Sequence, residues 1–345
     1  MPANALISPV LQVPGSGTLG QLYLPAGAPV ALPAGRHPLG IIDHSGDGNE
    51  GIPHKDVPIA SIAMNAIEGS NSQDVWYTDQ PVHYETTGEI RYAQSGSLLF
   101  GVAHYPADDI DKTAYQAYCN LIRLTRATGA GKLIRLWNYF PGINEDQADL
   151  ERYRRFCRGR HEALADMGYS LDRDLPAATA VGSRQGDFWV IFLAGNGDSL
   201  QVENPLQTSA FRYPPDYGPR SPAFSRAVRY SAGQGDQLFV SGTASIRGHE
   251  TLHPSDLVGQ CAITLSNLST LVEQAGEGHL RQLGARARWK VYLRHAEDFQ
   301  TLRDCLGHTL DPTSPILHVA GDICRQSLLF EIEGLIDLQS FSMKC

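Results

Sequence analysis

From about residue 97 the chain alternates between two hydrophobic periods. Apolar runs of strand length (SLLFGVAHY, KLIRLWNYF, AATAVG, DFWVIFLAG) are separated by segments in which apolar residues recur every three to four positions. The pattern predicts strands at 97–105 and 132–140, helices at 113–129 and 146–167, then strands at 177–182 and 187–195. The same order returns downstream. Strands are predicted at 237–246 and 287–296, helices at 256–276 and 298–310, and a last strand pair at 316–321 and 327–336. Gln116 and Gln260 sit alike in the first helices of the two copies, and Pro176 and Pro315 sit alike before the last strand pairs. These regularities predict two copies of one β-α-β-α-β-β unit joined by an irregular, Pro-rich linker at 203–222. With two helices per copy to cover a sheet face, the expected class is α/β (α+β).

The segment before residue 74 is rich in Gly, Pro and Asn, with short β-like runs such as 21–24, and reads as an irregular N-terminal arm. The expected division is 1–95 for arm and strands, 96–200 for the first unit, 201–235 for the linker, and 236–345 for the second unit.

Composition narrows the function classes. The 345 residues are 42% hydrophobic and 19% charged, a globular balance, and no apolar run approaches the roughly 18 residues of a membrane span. The N-terminal residues lack a basic segment and carry prolines in their apolar run, so a cytoplasmic location is expected. The net charge of −9 disfavours nucleic acid or an anionic membrane as partner. Six cysteines (Cys119, Cys157, Cys261, Cys305, Cys324 and Cys345) are dispersed without a C-x-x-C pair, which predicts reduced thiols rather than a disulfide or zinc framework. The basic residues are unusual: 23 Arg against 5 Lys, with five Arg inside ERYRRFCRGR at 151–160. Arg holds a planar carboxylate through paired hydrogen bonds, so local Arg clusters in an acidic chain are compatible with a small anionic ligand.

Several residues stand out on physical grounds. In the helix around 150–163, Tyr153, Phe156, Cys157 and Arg160 share the apolar face, whereas Arg154 and Arg158 point elsewhere and are expected in solvent. A buried Arg160 needs an anionic partner, either a chain carboxylate or a ligand. The linker stretch 211–227 holds three Arg and two Tyr among five Pro and Gly, so its polar side chains are presented from a stiffened backbone. There Arg220 and Arg226 serve either a ligand or the carbonyls of the irregular chain. Glu331 lies between apolar neighbours in a strand expected to be central, where burial raises a carboxyl pKa. It is either a general acid or a hydrogen-bonded structural residue. Cys324, an odd seven positions earlier, reaches the same cavity only if a turn or bulge intervenes. His249, Glu250 and His253 have a chelating look, but Gly248 and Pro254 place them in a turn, and no metal is expected.

The second copy resembles the small imine deaminase family in its strand-then-Gln-helix layout and its EIEG at 331–334. The position after Pro315, where that family carries Arg, is Ile316, which argues against deaminase chemistry. Five longer motifs resemble the chorismatase family: RLWNYFPGIN (135–144), LERYRRFCRGRHEA (150–163), VENPLQTSAFRYPPDYGPRSPAFSRA (202–227), SGTASIRGHETLH (241–253) and CRQSLLFEIEG (324–334). The resemblance implies two fused imine-deaminase-like units and cleavage of chorismate, a dianion, to pyruvate and a cyclic acid without a cofactor. It implies Glu331 as catalytic acid and Cys324 as a residue that governs product. Tyr153, Arg160, Tyr213 and Arg226 become substrate contacts, with Tyr217 and Arg220 as further candidates. Cys324 points to 3-hydroxybenzoate, while Ala244 looks more like the hydrolytic subtype, which leaves 4-hydroxybenzoate or a diol acid as other products. A non-catalytic small-acid-binding module of the same superfold is the alternative. Two fused copies predict a monomer or a small homo-oligomer.

Overall fold

A computed structural model describes residues 19–25, 27–46, 55–64, 67, 72–231 and 235–339. Cys345 lies outside them, and the other five cysteines are free thiols. The N-terminal segment, read as an irregular arm, contains a four-stranded sheet in the order β1-β4-β2-β3, built from β1 (Leu19–Leu24), β2 (His37–Asp43), β3 (Ile59–Ser61) and β4 (Gln73–Thr78). Its strands are short and punctuated by Gly and Pro, so the alternation needed to read them from the sequence is weak.

The first large sheet uses β5 (His83–Thr87), β6 (Ile90–Ser95), β7 (Leu98–Tyr105), β8 (Lys132–Pro141), β11 (Ala177–Ser183) and β12 (Phe188–Gly195), with α1 (Ile110–Ala127) and α2 (Arg152–Asp166) as crossovers. Between β8 and α2 lie two short paired strands, β9 (Asp146–Gln147) and β10 (Leu150–Glu151). The second large sheet uses β13 (Asp198–Val202), β14 (Ala227–Ser231), β15 (Asp236–Thr243), β18 (Ala287–Leu293), β19 (Ile316–Ala320) and β20 (Phe330–Asp337), with α3 (Leu257–Gln274) and α4 (Phe299–Gly307). A hairpin of β16 (Ile246–Arg247) and β17 (Glu250–Thr251) follows β15.

The two sheets have the same topology. Their orders are β5-β6-β7-β12-β8-β11 and β13-β14-β15-β20-β18-β19, each with one parallel pair, β8/β11 and β18/β19, at one edge. The duplicated β-α-β-α-β-β unit is therefore present. Each copy also carries two antiparallel strands ahead of it. In the first they form a tight hairpin. In the second, β13 and β14 pair across the whole Pro-rich segment, so that segment is an excursion between hydrogen-bonded strands and its ends are fixed.

Local signals account for the helices. α1 buries Ile110, Ala114, Ala117, Tyr118, Leu121 and Ile122 and stops before Gly129 at φ 73°, a conformation that glycine adopts without strain. α3 is N-capped by Asp256, whose carboxylate accepts from the Gly259 amide at 3.0 Å. The expected helix at 146–167 begins six residues late, because 146–151 offers only Ala148 and Leu150 as apolar residues and turns between β9 and β10 at Ala148, whose φ of 59° is not helical. Gln116 and Gln260 are not equivalent. Gln116 is exposed, whereas Gln260 is buried and bridges the Ser327 carbonyl and the Leu329 amide. Pro176 and Pro315 do correspond, each immediately preceding the parallel edge strand.

Helices cover one face of each sheet. The other faces pack against each other and against the N-terminal sheet, through Trp76, Trp137, Tyr139, Ile191, Phe239, Tyr292 and Leu335. Main-chain bonds stitch the units together, among them the Gly182 amide to the Asp322 carbonyl at 2.7 Å and the Ser225 amide to the Pro176 carbonyl at 3.0 Å. Among the described residues no helix is long and apolar enough to cross a membrane.

Candidate active site

A cleft of about 950 Å³ opens at the seam between the units. Its walls come from α2, from Ala178, Thr179 and Ala180 on β11, from the linker, and from the end of β15. The irregular stretch between β19 and β20, together with Glu331, closes it. Of the residues singled out in the sequence, Glu331, Cys324, Tyr153, Arg160, Tyr213, Tyr217, Arg226 and Ala244 all line it. Arg220 does not. Its side chain is 52% exposed and lies 3.9 Å from Glu162, since Gly218 and the flanking prolines turn this part of the linker outward.

The apolar face of α2 carries Arg160 into the wall, as its spacing requires. It is 1% exposed, its guanidinium stacks 4.8 Å from the Phe156 ring, and its Nε has no hydrogen-bond partner among the described residues. Among the described residues no carboxylate pairs with it, which removes the structural salt bridge as an explanation for its burial. Arg226 is similar. Its Nη2 donates to the Thr208 carbonyl and the Tyr213 hydroxyl, both at 2.8 Å, while its Nε is unpartnered and no described carboxylate reaches it. Two buried guanidinium groups without a counter-charge are costly in a folded chain, and an anionic ligand offsets that cost.

At the mouth, Arg325 lies 4.2 Å from the Tyr217 ring centroid and 5.4 Å from that of Tyr213, and donates to the His249 carbonyl at 2.9 Å. Tyr217 meets His249 Nδ1 at 3.2 Å, and His253 faces Asp256 at 3.6 Å, so the two histidines are spent on separate contacts. Arg154, expected in solvent, lines the mouth and pairs with Glu151 at 3.1 Å. Arg158 pairs with Asp111 on α1 instead.

The floor is set by β20. Phe330 and Ile332 face the helices, and Glu331 and Glu333 point between the sheets. Glu331 is 4% exposed, and its carboxyl has no hydrogen-bond partner among the described residues. Burial, reinforced by the neighbouring Glu333 charge and only partly offset by Arg135 and Arg226, pushes its pKa up to about 8. A side chain at Gly242 would collide with this carboxyl, so the glycine of the SGTAS motif leaves the space that Glu331 occupies. Cys324 enters the same cleft because an irregular turn separates it from β20. Burial, and then the nearby Glu331, push its thiol up to about 12, so it is present as a thiol and not a thiolate.

Sequence reasoning missed Arg325, Thr179 and Gly242. It also missed a buried polar network behind the floor, formed by Asp74, Arg135, Lys290 and Glu333. A signal existed for the network: Arg135 and Lys290 interrupt strands that are otherwise apolar, and such charges need partners.

Fold and site together define a duplicated α/β protein whose inter-unit cleft is lined by two buried guanidinium groups and a buried acid. Residues 74–194 match the family model for the N-terminal region of FkbO/Hyg5-like chorismatases. The chain is 35% identical over 325 residues to a 3-hydroxybenzoate synthase of Streptomyces hygroscopicus, covering 90% of this chain and 94% of that protein. It is 36% identical over 316 residues to a chorismatase of the same organism, covering 86% and 89%. A chorismatase crystal structure superposes with a TM-score of 0.85 at 33% identity, covering 93% of this chain and 99% of the other. The chain belongs to the chorismatase family.

Proposed function

We propose that this protein cleaves chorismate to 3-hydroxybenzoate and pyruvate, acting as a lyase. The observation that carries the reading is Glu331, a carboxyl that keeps its proton near neutrality on the floor of a cleft walled by two guanidinium groups that meet no carboxylate among the described residues. The relatives named 3-hydroxybenzoate synthase and chorismatase support the choice of substrate. In this assignment the first unit contributes Tyr153 and Arg160, the linker Tyr213, Tyr217 and Arg226, and the second unit Ala244, Cys324 and Glu331. Arg160 and Arg226 hold the two carboxylates of the dianion.

The chemistry is acid catalysis on an enol ether. Glu331 gives its proton to the enolpyruvyl methylene, and the bond between the ring and the ether oxygen breaks, its electron pair completing the keto group of pyruvate. The ring hydroxyl next to the vacated carbon closes on it as an epoxide and returns a proton to the site. The epoxide then opens at the carbon that first bore the hydroxyl, its oxygen takes back a proton from the site and stays on the vacated carbon, and the ring loses a C–H proton to become aromatic. The two products contain every atom of the substrate, so no water enters. Cys324, a neutral thiol beside Glu331, assists after the first bond has broken. Incubation with chorismate, with pyruvate and ring products followed by chromatography, tests this directly, and an absence of pyruvate overturns it.

Two variants separate the roles. Cys324→Ala is expected to keep releasing pyruvate while the ring product shifts from 3-hydroxybenzoate toward a diol acid or 4-hydroxybenzoate. An unchanged product mixture removes Cys324 from the aromatising step. Gly242→Ala should remain folded, because the colliding group is the end of a flexible side chain. It should nevertheless lose at least about tenfold in kcat, as a displaced acid misses the methylene. Native-like kcat in this variant would show that the position of Glu331 is not critical.

A further inference from the structure

Behind Glu331 lies a buried set of charges that the cleft does not touch with its substrate-facing groups. Glu333 is on the same strand face two residues on, and both of its oxygens are held. Oε2 accepts from Arg135 Nη2 at 2.7 Å. Oε1 accepts from Trp137 Nε1 at 2.7 Å and lies 3.4 Å from Lys290 Nζ. Lys290 is in turn 2.6 Å from Asp74 Oδ2, and the other Asp74 oxygen accepts from Gln21 Nε2 at 2.8 Å. Asp74, Arg135, Lys290 and Glu333 are all nearly inaccessible to solvent. The set also reaches the cleft wall. Arg135 Nη2 donates to Thr179 Oγ1 at 2.5 Å, and that same oxygen accepts the Gly242 amide at 3.1 Å.

The charges in this set balance without Glu331. Two cations, Arg135 and Lys290, are matched by two carboxylates, Asp74 and Glu333; burial raises the Asp74 pKa, and Lys290 and Gln21 oppose that shift. Burial disfavours the carboxylate form of Glu333, but Arg135 and Lys290 outweigh it and hold the group below its usual range. Ionising Glu331 would place a third carboxylate beside a matched set, in a region that screens charge poorly. The other groups facing Glu331 do not reverse this. Cys324 is a neutral thiol, and Tyr292, across the strand pair, is a neutral phenol bonded to the Tyr139 hydroxyl at 2.6 Å. Arg226 favours the charged form of Glu331, and Arg160 stands on the far wall beside Tyr153 and Cys157. Both are the cations assigned to the substrate.

We propose that Glu333, fixed by Arg135, Trp137 and the Lys290–Asp74 pair, is a positioning residue whose negative charge keeps the proton on Glu331. The N-terminal sheet, through Asp74, is then part of the catalytic apparatus although it contributes nothing to the cleft lining. The proposal rests on Glu331 being the proton donor and goes beyond that reading by naming the charge that, added to burial, sets its protonation.

The test is the pH dependence of kcat/KM for pyruvate release from chorismate. The acid form is the active one, so the wild-type rate falls as pH rises through the Glu331 value, about 8. Glu333→Gln leaves the two cations facing Asp74 alone, and the falling limb should move down by about one pH unit or more. Asp74→Asn should move it in the same direction by less, being one charge further along. Lys290→Met removes a cation and should move it up. Where Glu333→Gln does not fold, the opposed pair Asp74→Asn and Lys290→Met decides. A limb that stays in place while rates drop, or moves the same way in that pair, overturns the proposal and leaves the network as scaffold. Failure of the donor reading itself is read separately, since Glu331→Gln would then keep releasing pyruvate.

Discussion

Glu331→Gln should lower kcat for pyruvate release by roughly 10²- to 10⁴-fold, the usual contribution of a positioned general acid, while chorismate still binds. The amide keeps the size of the carboxyl and its place opposite Gly242, so the cleft keeps its shape. What it lacks is a proton that it can surrender. The loss should therefore fall on kcat and leave affinity nearly unchanged, which equilibrium binding and steady-state kinetics measured together will show. Wild-type pyruvate release in this variant would remove Glu331 from the chemistry.

Replacing Arg160 or Arg226 by Ala should weaken chorismate binding by about 2 to 5 kcal/mol, the range for truncating one partner of a buried charged pair. Both guanidiniums are nearly inaccessible to solvent and neither meets a described carboxylate, so each has its full charge to give to a ligand. The two variants should differ in detail. Arg226 also orients Tyr213 through a 2.8 Å hydrogen bond, so its removal frees a second cleft residue, whereas Arg160 contacts the thiol of Cys157 at 3.9 Å. Arg220→Ala, in an exposed side chain outside the cleft, should leave kcat/KM within about twofold of wild type, as is usual for surface substitutions. A change below twofold for both Arg160→Ala and Arg226→Ala would place these residues in the scaffold.

What could be read from the sequence follows from how local each signal is. The strand runs and helical faces after residue 97 are set by neighbours within one or two turns, and they appear where the periodicity puts them. Tyr153 and Arg160 share a wall because helical geometry forces residues seven apart onto one face. The 146–151 stretch defeated the same logic, because the pattern there names polar residues without saying that no core waits for them. Arg220 and Arg226 looked alike in a Pro-rich segment. They parted because β13 and β14 pair on either side of the linker, pinning Arg226 next to β14 while Arg220 sits on the outward bend.

By itself, then, the sequence determined the duplicated unit, the family through five ordered motifs, and Glu331 as a carboxyl among apolar neighbours. Periodicity and burial preference are properties of short segments and survive without knowledge of the fold. Tertiary structure alone decided that both guanidiniums line the cleft with Glu331 and meet no carboxylate among the described residues, that Gly242 makes room for the Glu331 carboxyl, and that Asp74 and Arg135 meet Lys290 and Glu333 between the sheets. Those residues are separated by up to 259 positions, from Asp74 to Glu333 (333 − 74). Electrostatic energy depends on distance through space and on the exclusion of water, neither of which spacing along the chain records.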